Sequence, residues 1–274
     1  MGYIKQEYEK DRKKLAGNWE MAMGLQKVDN LEPSDYLIEV ARQNIEGVLS
    51  YEQVHSLLYK HYQDETGVNK ERQKECDLVS ARIADYLSDY SFSLNPETLK
   101  AMHKYLFQDV YDFAGKYRTY NLTKSEPVLG GQSVIYADFR SLQETLSYDF
   151  QEERDFRYVN CDQGSMIKRF AYFISCIWQA HPFMEGNTRT TALFTECYLN
   201  SLGFSVNNDL FAAHAQYFRN ALVRANYADL QKGIYTDSSY LEAFFENLIF
   251  EGNHKLQNRN LIIADLVQDA EPER

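Results

Sequence analysis

Residues 181–189 read His-Pro-Phe-Met-Glu-Gly-Asn-Thr-Arg and lie between two apolar segments. A proline directly after His181 disfavours helical geometry for the histidine, so a helix is predicted to end there and to present the imidazole at its end. A further helix is predicted over about 188–202. The preceding helix, over about 164–180, is predicted to be buried because its apolar residues recur at helical spacing: Met166, Phe170, Phe173, Ile174 and Ile177.

The turn between these two helices has the chemistry of an anion site. Gly186 and Asn187 tolerate tight-turn backbone angles, and the first N–H groups of the next helix have no partner within it. Arg189 in the first turn offers a fork for phosphate oxygens, and Glu185 offers a carboxylate for Mg²⁺. Together with His181 as a base, these groups suit nucleotidyl transfer. A histidine that merely caps a buried helix is the alternative interpretation.

Composition narrows the class of protein. The chain has 274 residues, 44% hydrophobic content and a net charge of −11, which is typical of a packed globular protein. No run of Lys or Arg forms an evident basic face, so general nucleic-acid binding is not expected. No stretch of about 18 apolar residues predicts a membrane span. The four cysteines form no C-x-x-C pair and indicate reduced thiols in a cytoplasmic protein.

The first 66 residues are predicted to form a separate helical segment. Three short amphipathic helices are expected, over about 4–27, from Pro33 to Gly47, and from Ser50, which with Gln53 forms a capping box. Such small helices cannot build a stable core alone, so they must dock on another element. The polar stretch 63–70 sets the predicted domains at 1–66 and 67–274.

The remainder is predicted to be mostly helical. Between residues 116 and 138 the helical period disappears, and β-prone residues flank a turn-rich centre, which predicts a β-hairpin. The fold class is therefore mostly all-α with one hairpin. The further predicted helices cover about 71–90, 96–108, 138–152, 209–227, 238–250 and 257–268.

Residues 181–189 resemble the motif H-x-F-x-[D/E]-G-N-G-R-x-x-R of the bacterial Fic (Fic/Doc) family. Residues 106–119, Leu-Phe-Gln-Asp-Val-Tyr-Asp-Phe-Ala-Gly-Lys-Tyr-Arg-Thr, resemble the helix and loop that precede the flap hairpin of this family. The resemblance covers roughly residues 71–250. It implies a Fic-type helical core with a β-hairpin flap.

The resemblance implies transfer of AMP from ATP to a Ser, Thr or Tyr hydroxyl of a target protein. His181 would be the catalytic base, Glu185 would hold Mg²⁺, and Phe183 would anchor the loop in the core. The flap would align an extended target segment, and the oligomeric state is left open. The nucleotide would contact Gly186, Asn187, Thr188 and Arg189 in the motif, Lys124 and Ser125 in the flap, and Asn220 on the adenine side.

Two positions depart from the motif. Thr188 stands where glycine is usual, and Ala192 stands where a second arginine is usual. The first adds a Cβ where phosphate must approach, and the second removes a cation for the γ-phosphate. Three functions therefore stay open: AMP transfer, transfer of phosphate or another nucleotide moiety on the same fold, and a catalytically degenerate protein-interaction module.

The N-terminal helices resemble the small antitoxins of this family, through residues 28–33 (Val-Asp-Asn-Leu-Glu-Pro) and the two helices that follow. The family's inhibitory pattern is [S/T]-x-x-x-E-[G/N], and the matching positions here hold Leu25, Asp29 and Asn30. Asp29 is thus the candidate inhibitory residue of a toxin–antitoxin fusion. Residues 1–66 are expected to cover the nucleotide site; a purely stabilising cap is the alternative.

Overall fold

The computed structural model describes residues 10–63, 68–204, 206 and 208–268, and within them the fold is mostly helical, as predicted. The four residues 64–67, where the linker was predicted, lie outside the described residues. The helices are α1 (Lys10–Leu25), α2 (Asp35–Ile45), α3 (Tyr51–Tyr62), α4 (Val68–Ser88), α5 (Pro96–Phe107), α6 (Leu142–Asp155), α7 (Gln163–Ala180), α8 (Asn187–Ser201), α9 (Asp209–Asn226), α10 (Ser239–Phe250) and α11 (Ala264–Gln268).

The chain divides into two compact units. Unit 1 comprises Met1–Ser93, Lys100–Gly115 and Ala192–Ala215, and unit 2 comprises Leu94–Leu99, Lys116–Thr191 and Gln216–Arg274. Helices α5, α8 and α9 each contribute residues to both units.

In unit 1 helices α1 and α3 pack on α4, and α2 packs on α1 and α3, so the N-terminal helices dock on another element, as their amphipathic pattern predicted. The buried Asp77 of α4 accepts hydrogen bonds from the Ser34 backbone N–H at 3.1 Å, from the Ser34 hydroxyl, and from the Tyr62 hydroxyl at 2.7 Å. The predicted Ser50–Gln53 capping box is formed. Helix α2 does not open at Pro33; Ser34 caps it, because its side chain accepts the Leu37 N–H at 2.9 Å.

In unit 2 the buried face of α7 is the centre of an aromatic core, with α6 on one side and α10 on the other. Phe173 meets Phe150 of α6 edge-on at 5.3 Å between ring centroids. Phe170 meets Phe245 of α10 edge-on at 4.8 Å. Edge-to-face pairs of this kind stabilise aromatic cores beyond area burial alone. These contacts pack the middle of α7 into the core of unit 2.

Residues 116–138, called the flap loop below, contain no β-strand, so the predicted hairpin is not formed as paired strands. Two backbone hydrogen bonds close its central turn: the Glu126 N–H donates to the Gln132 carbonyl at 3.0 Å, and the Gly131 N–H donates to the Glu126 carbonyl at 3.1 Å. The carbonyls of Tyr120 and Ala137 accept from the Arg118 guanidinium instead of from a partner strand. The Arg118 side chain therefore binds two backbone carbonyls that would accept hydrogen bonds from a neighbouring strand in a hairpin.

The helix predicted over 257–268 is also wrong in part. Residues 258–261 form a short 3-10 turn and α11 is five residues long. Between them the Ile263 N–H donates to the Val128 carbonyl at 3.0 Å, which holds the backbone extended. Leu261 and Leu266 are buried, and their spacing of five is not that of one helical face.

Candidate active site

Helix α7 ends at Ala180, and His181 adopts a left-handed backbone conformation with φ 48° and ψ 56°. Its N–H closes the helix end on the Trp178 carbonyl at 3.0 Å. A non-glycine residue in this region is strained, at a cost of order 1–3 kcal/mol, and it persists where the surroundings determine it. The helix therefore ends at the position predicted from Pro182, and His181 caps its C-terminal end.

The imidazole of His181 is buried, with 3% of the residue exposed. Its Nδ1 lies 3.2 Å from the Trp178 carbonyl oxygen, and because a carbonyl only accepts, the proton belongs on Nδ1. Nε2 is then the basic nitrogen, and it has no hydrogen-bond partner among the described residues. The ring of Tyr136 lies against the imidazole, and Trp178 meets it edge-on at 5.4 Å. The imidazole lies at the helix end, as predicted, but aromatic rings cover it in this conformation.

Burial lowers the pKa of His181 well below its usual 6.5, and the cations of Lys124, Arg118 and Arg219 lower that pKa further. The hydrogen bond to the Trp178 carbonyl acts in the opposite direction on this pKa. The imidazole is therefore neutral at physiological pH and able to accept a proton.

The turn after His181 is closed by a side chain. The Asn187 amide accepts the Phe183 N–H at 3.0 Å and donates to the Phe183 carbonyl at 2.7 Å. Phe183 itself is 1% exposed and lies in the core, in contact with Tyr117. Gly186 has φ 76°, which a residue with a Cβ adopts at a cost. The amide of Asn187 thus shapes the turn.

Helix α8 starts directly at this turn, so its first amides lack carbonyl partners within the helix. Thr188, the departure from glycine, is buried and accepts the Trp178 indole N–H at 3.0 Å. Arg189 is 1% exposed and Ala192 is fully buried. The Thr188 hydroxyl oxygen is therefore already hydrogen-bonded to the Trp178 indole.

Of the two flap-loop candidates, Lys124 contacts the turn. The Lys124 ammonium donates to the Glu185 carboxylate at 2.8 Å, and the two side chains are 23% and 52% exposed. Ser125 lies near Gly131, where an added Cβ would be 3.5 Å from the Ser125 hydroxyl oxygen. The structure thus brings Lys124 and Glu185 into contact.

A buried ion pair near this site was not predicted from the sequence. Glu126 is fully buried and pairs with Arg219 at 2.7 Å, and the Tyr136 hydroxyl donates to Glu126 at 3.4 Å. Burial is the main cause that raises the pKa of Glu126, and Arg219 opposes it. The pair joins residues 93 positions apart in the sequence, so no local pattern indicated it.

Two candidates remain, Asn220 and Asp29, and none of their hydrogen bonds described here involves the 181–189 turn. Asn220, next to Arg219, is buried; its amide donates to Asn258 at 2.9 Å and accepts from Gln216 at 3.1 Å. Asp29 belongs to unit 1, whereas the other candidates belong to unit 2. The carbonyl of Asp29 accepts from Arg72 at 3.1 Å.

Comparisons with known proteins match the part of the chain that contains this turn. Residues 93–199 match the family model described as Fic/DOC family, a range that contains the flap loop and the 181–189 turn. Over 111 residues, the chain is 28% identical to protein adenylyltransferase VbhT of Bartonella schoenbuchensis, covering 40% of this chain and 22% of that protein. Over 131 residues, it is 25% identical to the probable protein adenylyltransferase y4lH of Sinorhizobium fredii, covering 48% and 65%.

A solved structure shows the same fold at low identity. It is the N-terminal Fic domain of a VirB-translocated effector protein from Bartonella sp. 1-1C, with a TM-score of 0.53, 15% identity, and coverage of 68% of this chain and 88% of that one. Residues 93–199 therefore form a Fic/DOC family domain. The matched segments span 22% and 65% of the two adenylyltransferases' own lengths.

No helix in the described part of the chain is long and apolar enough to cross a membrane.

Proposed function

We propose that this chain is a protein adenylyltransferase, which transfers AMP from ATP to a Ser, Thr or Tyr hydroxyl of a target protein. The observation that carries the proposal is the buried, neutral imidazole of His181 with Nε2 unpartnered, directly before a helix N-terminus. A buried acceptor without a donor costs about 1–3 kcal/mol, which a substrate hydroxyl would relieve. The adenylyltransferase names of two relatives support the same activity.

The chemistry follows from this arrangement. Nε2 of His181 takes the proton of the target hydroxyl, the hydroxyl oxygen bonds to the α-phosphorus of ATP, and pyrophosphate leaves. General base catalysis of this kind contributes typically about 10²–10⁴ in rate. The first amides of α8 would stabilise the phosphate charge, as helix N-termini do in other phosphate sites. Arg189 in the same turn would add a cation.

Mg²⁺ is the metal that this proposal requires, and the donor chemistry fits it. Mg²⁺ takes oxygen ligands, and it is usually held by one or two carboxylates together with phosphate oxygens and waters. Glu185 offers one half-exposed carboxylate beside the turn. Bound there, Mg²⁺ would neutralise charge on the phosphates. Lys124, which now holds that carboxylate, would then turn to the nucleotide.

Turnover also requires movement of the flap loop. The residue His181 is 3% exposed and lies under Tyr136, so no hydroxyl reaches Nε2 in the described conformation. We propose that a target segment docks on the flap loop and displaces Tyr136. The exposed Tyr120 and Ile135 of this loop, at 47% and 81% exposure, offer side chains for such docking.

The direct test is intact-mass spectrometry of the full chain and a candidate target after incubation with ATP and Mg²⁺. Added AMP on either protein, lost in His181→Ala, is the expected result. His254→Ala is the matched control, because that histidine is exposed and pairs with Glu246 away from the site.

Two other outcomes assign a different function. Added phosphate in place of AMP indicates a phosphotransferase on the same fold. No added mass with any donor indicates an interaction module, a result that the buried histidine and the alanine at position 192 would then explain.

A role for residues 1–66 in restraining activity is a separate part of the proposal. Asp29 ends a 3-10 turn, and Arg72 of α4 fixes its carbonyl and that of Asn30. If this fixed aspartate restrains the site, Asp29→Ala raises the rate of AMP addition, while Asp35→Asn in the next helix leaves it unchanged. Equal rates for Asp29→Ala and the wild-type chain would count against an inhibitory role.

A further inference from the structure

Arg118 binds the end of α7 at three consecutive carbonyls. Its backbone N–H donates to Pro182 at 2.8 Å, its Nε donates to His181 at 2.8 Å, and one terminal nitrogen donates to Ala180 at 3.3 Å. Arg118 is 3% exposed. The last carbonyls of a helix have no partners within it, and a cation is favourable beside them. The guanidinium therefore binds the Ala180 and His181 carbonyls, and the Arg118 backbone binds the Pro182 carbonyl.

The same guanidinium also binds other residues of the flap loop, to which Arg118 itself belongs. One terminal nitrogen donates to the Tyr120 carbonyl at 2.8 Å and to the Asn121 side-chain oxygen at 3.3 Å. The other, which contacts Ala180, also donates to the Ala137 carbonyl. Ala137 directly follows Tyr136, whose ring covers the imidazole. The Arg118 side chain thus connects the His181 carbonyl with Tyr120 and Ala137, which lie near the two ends of the flap loop.

An arginine is required for this geometry. The planar guanidinium has five N–H donors in a fixed fork, whereas a lysine has three donors on one nitrogen and cannot reach carbonyls on opposite sides. His181 is held in a strained left-handed conformation, which surrounding contacts must maintain. The Arg118 guanidinium supplies two of those contacts, to the carbonyls of Ala180 and His181, and its backbone N–H supplies a third, to Pro182.

We infer that Arg118 is a positioning residue that sets the orientation of the His181 imidazole and holds the two ends of the flap loop together. The inference rests on the proposed function, in which His181 is the base. Arg118 itself contacts no reacting atom. It acts on the rate through the backbone that carries the base, because small misplacement of a catalytic group costs up to about 10²-fold in rate.

Arg118→Lys tests this role because it keeps the positive charge and removes the fork. We expect kcat for AMP addition to fall about 10- to 100-fold with KM for ATP within about twofold, since the phosphate cradle is untouched. Arg140→Lys is the matched control: Arg140 lies in the same unit, is 77% exposed at its side chain, and pairs with Asp138. An Arg118→Lys chain with wild-type kcat overturns the inference.

Chemical rescue separates positioning from general destabilisation. In Arg118→Ala, added guanidinium ion at non-denaturing concentration is expected to restore part of kcat, because it refills the vacated donor position. It is not expected to raise kcat of Arg118→Lys or of the wild-type chain. Absence of rescue in an Arg118→Ala chain that binds ATP with wild-type affinity overturns the inference.

A measurement without turnover distinguishes this inference from the proposed function. If the wild-type chain adds no AMP, the proposed function fails. The ¹⁵N NMR shifts of the His181 ring still report its tautomer, and through it the hydrogen bond that orients the ring. The hydrogen bond from Nδ1 to the Trp178 carbonyl predicts one tautomer in the wild-type chain. We expect averaging of the two tautomers in Arg118→Lys. Unchanged ring shifts in that variant overturn the positioning role whatever the activity.

Discussion

The phenol ring of Tyr136 lies against the imidazole of His181, with ring centroids 4.1 Å apart and ring planes at 32°. Tyr136 is itself buried, and its hydroxyl contacts Glu126, which pairs with Arg219 of α9. Tyr136, which covers the candidate base His181, therefore contacts a buried ion pair through its hydroxyl. Displacement of the Tyr136 ring would break its hydroxyl contact with Glu126.

Removing the Tyr136 ring is expected to uncover the imidazole. In Tyr136→Ala the pKa of His181 rises toward its usual 6.5, because burial is the largest cause that lowers it. Tyr136→Phe keeps the ring and is expected to leave that pKa near its wild-type value. An NMR titration of the His181 ring measures both, and a pKa in Tyr136→Ala as low as in the wild-type chain would show that other groups bury the ring.

The same shift predicts a dependence of stability on pH. The folded pKa of His181 lies below the unfolded value of about 6.5, so between these values only the unfolded chain is protonated there. This residue therefore makes the free energy of unfolding fall as the pH is lowered through that window. Urea unfolding at several pH values should show a shallower fall in Tyr136→Ala than in Tyr136→Phe.

The pair of Glu126 and Arg219 is expected to behave as a buried ion pair. Glu126→Gln leaves Arg219 with an uncompensated charge, its side chain being 16% exposed, and should lower the free energy of unfolding by about 3 kcal/mol. Glu126→Gln combined with Arg219→Met should recover much of that loss. A double-mutant cycle by urea unfolding measures the coupling, and purely additive losses would contradict it.

Two glycines of α1 provide a matched test of packing in unit 1. A Cβ at Gly24 would lie 2.4 Å from the Ala212 Cα, so Gly24→Ala should lower the free energy of unfolding by about 1–3 kcal/mol. A Cβ at Gly17 would meet Asn208 at 3.9 Å, so Gly17→Ala should raise that free energy by about 0.5–1 kcal/mol through helix propensity. Chemical denaturation checks both. Equal effects at the two positions would contradict the close approach of α1 and α9.

Local sequence patterns predicted helix ends correctly where capping or helix-breaking residues near the end determine it. The Ser50–Gln53 capping box, the end of α2 before Gly47 and the end of α7 before Pro182 were all predicted and are present. The flap loop was predicted as a hairpin because β-prone residues flank a turn. Its acceptors are bound by Arg118, which a strand pattern does not reveal.

The sequence by itself determined the helical class, the turn at residues 181–189 and the resemblance to the Fic motif, because these depend on residues close together in the chain. Only the tertiary structure decided that the imidazole is covered by Tyr136, that Glu126 meets Arg219, and that Arg118 binds both the histidine turn and the flap loop. These contacts join residues 19 to 93 positions apart. Burial and long-range pairing come from packing, which no local spacing specifies.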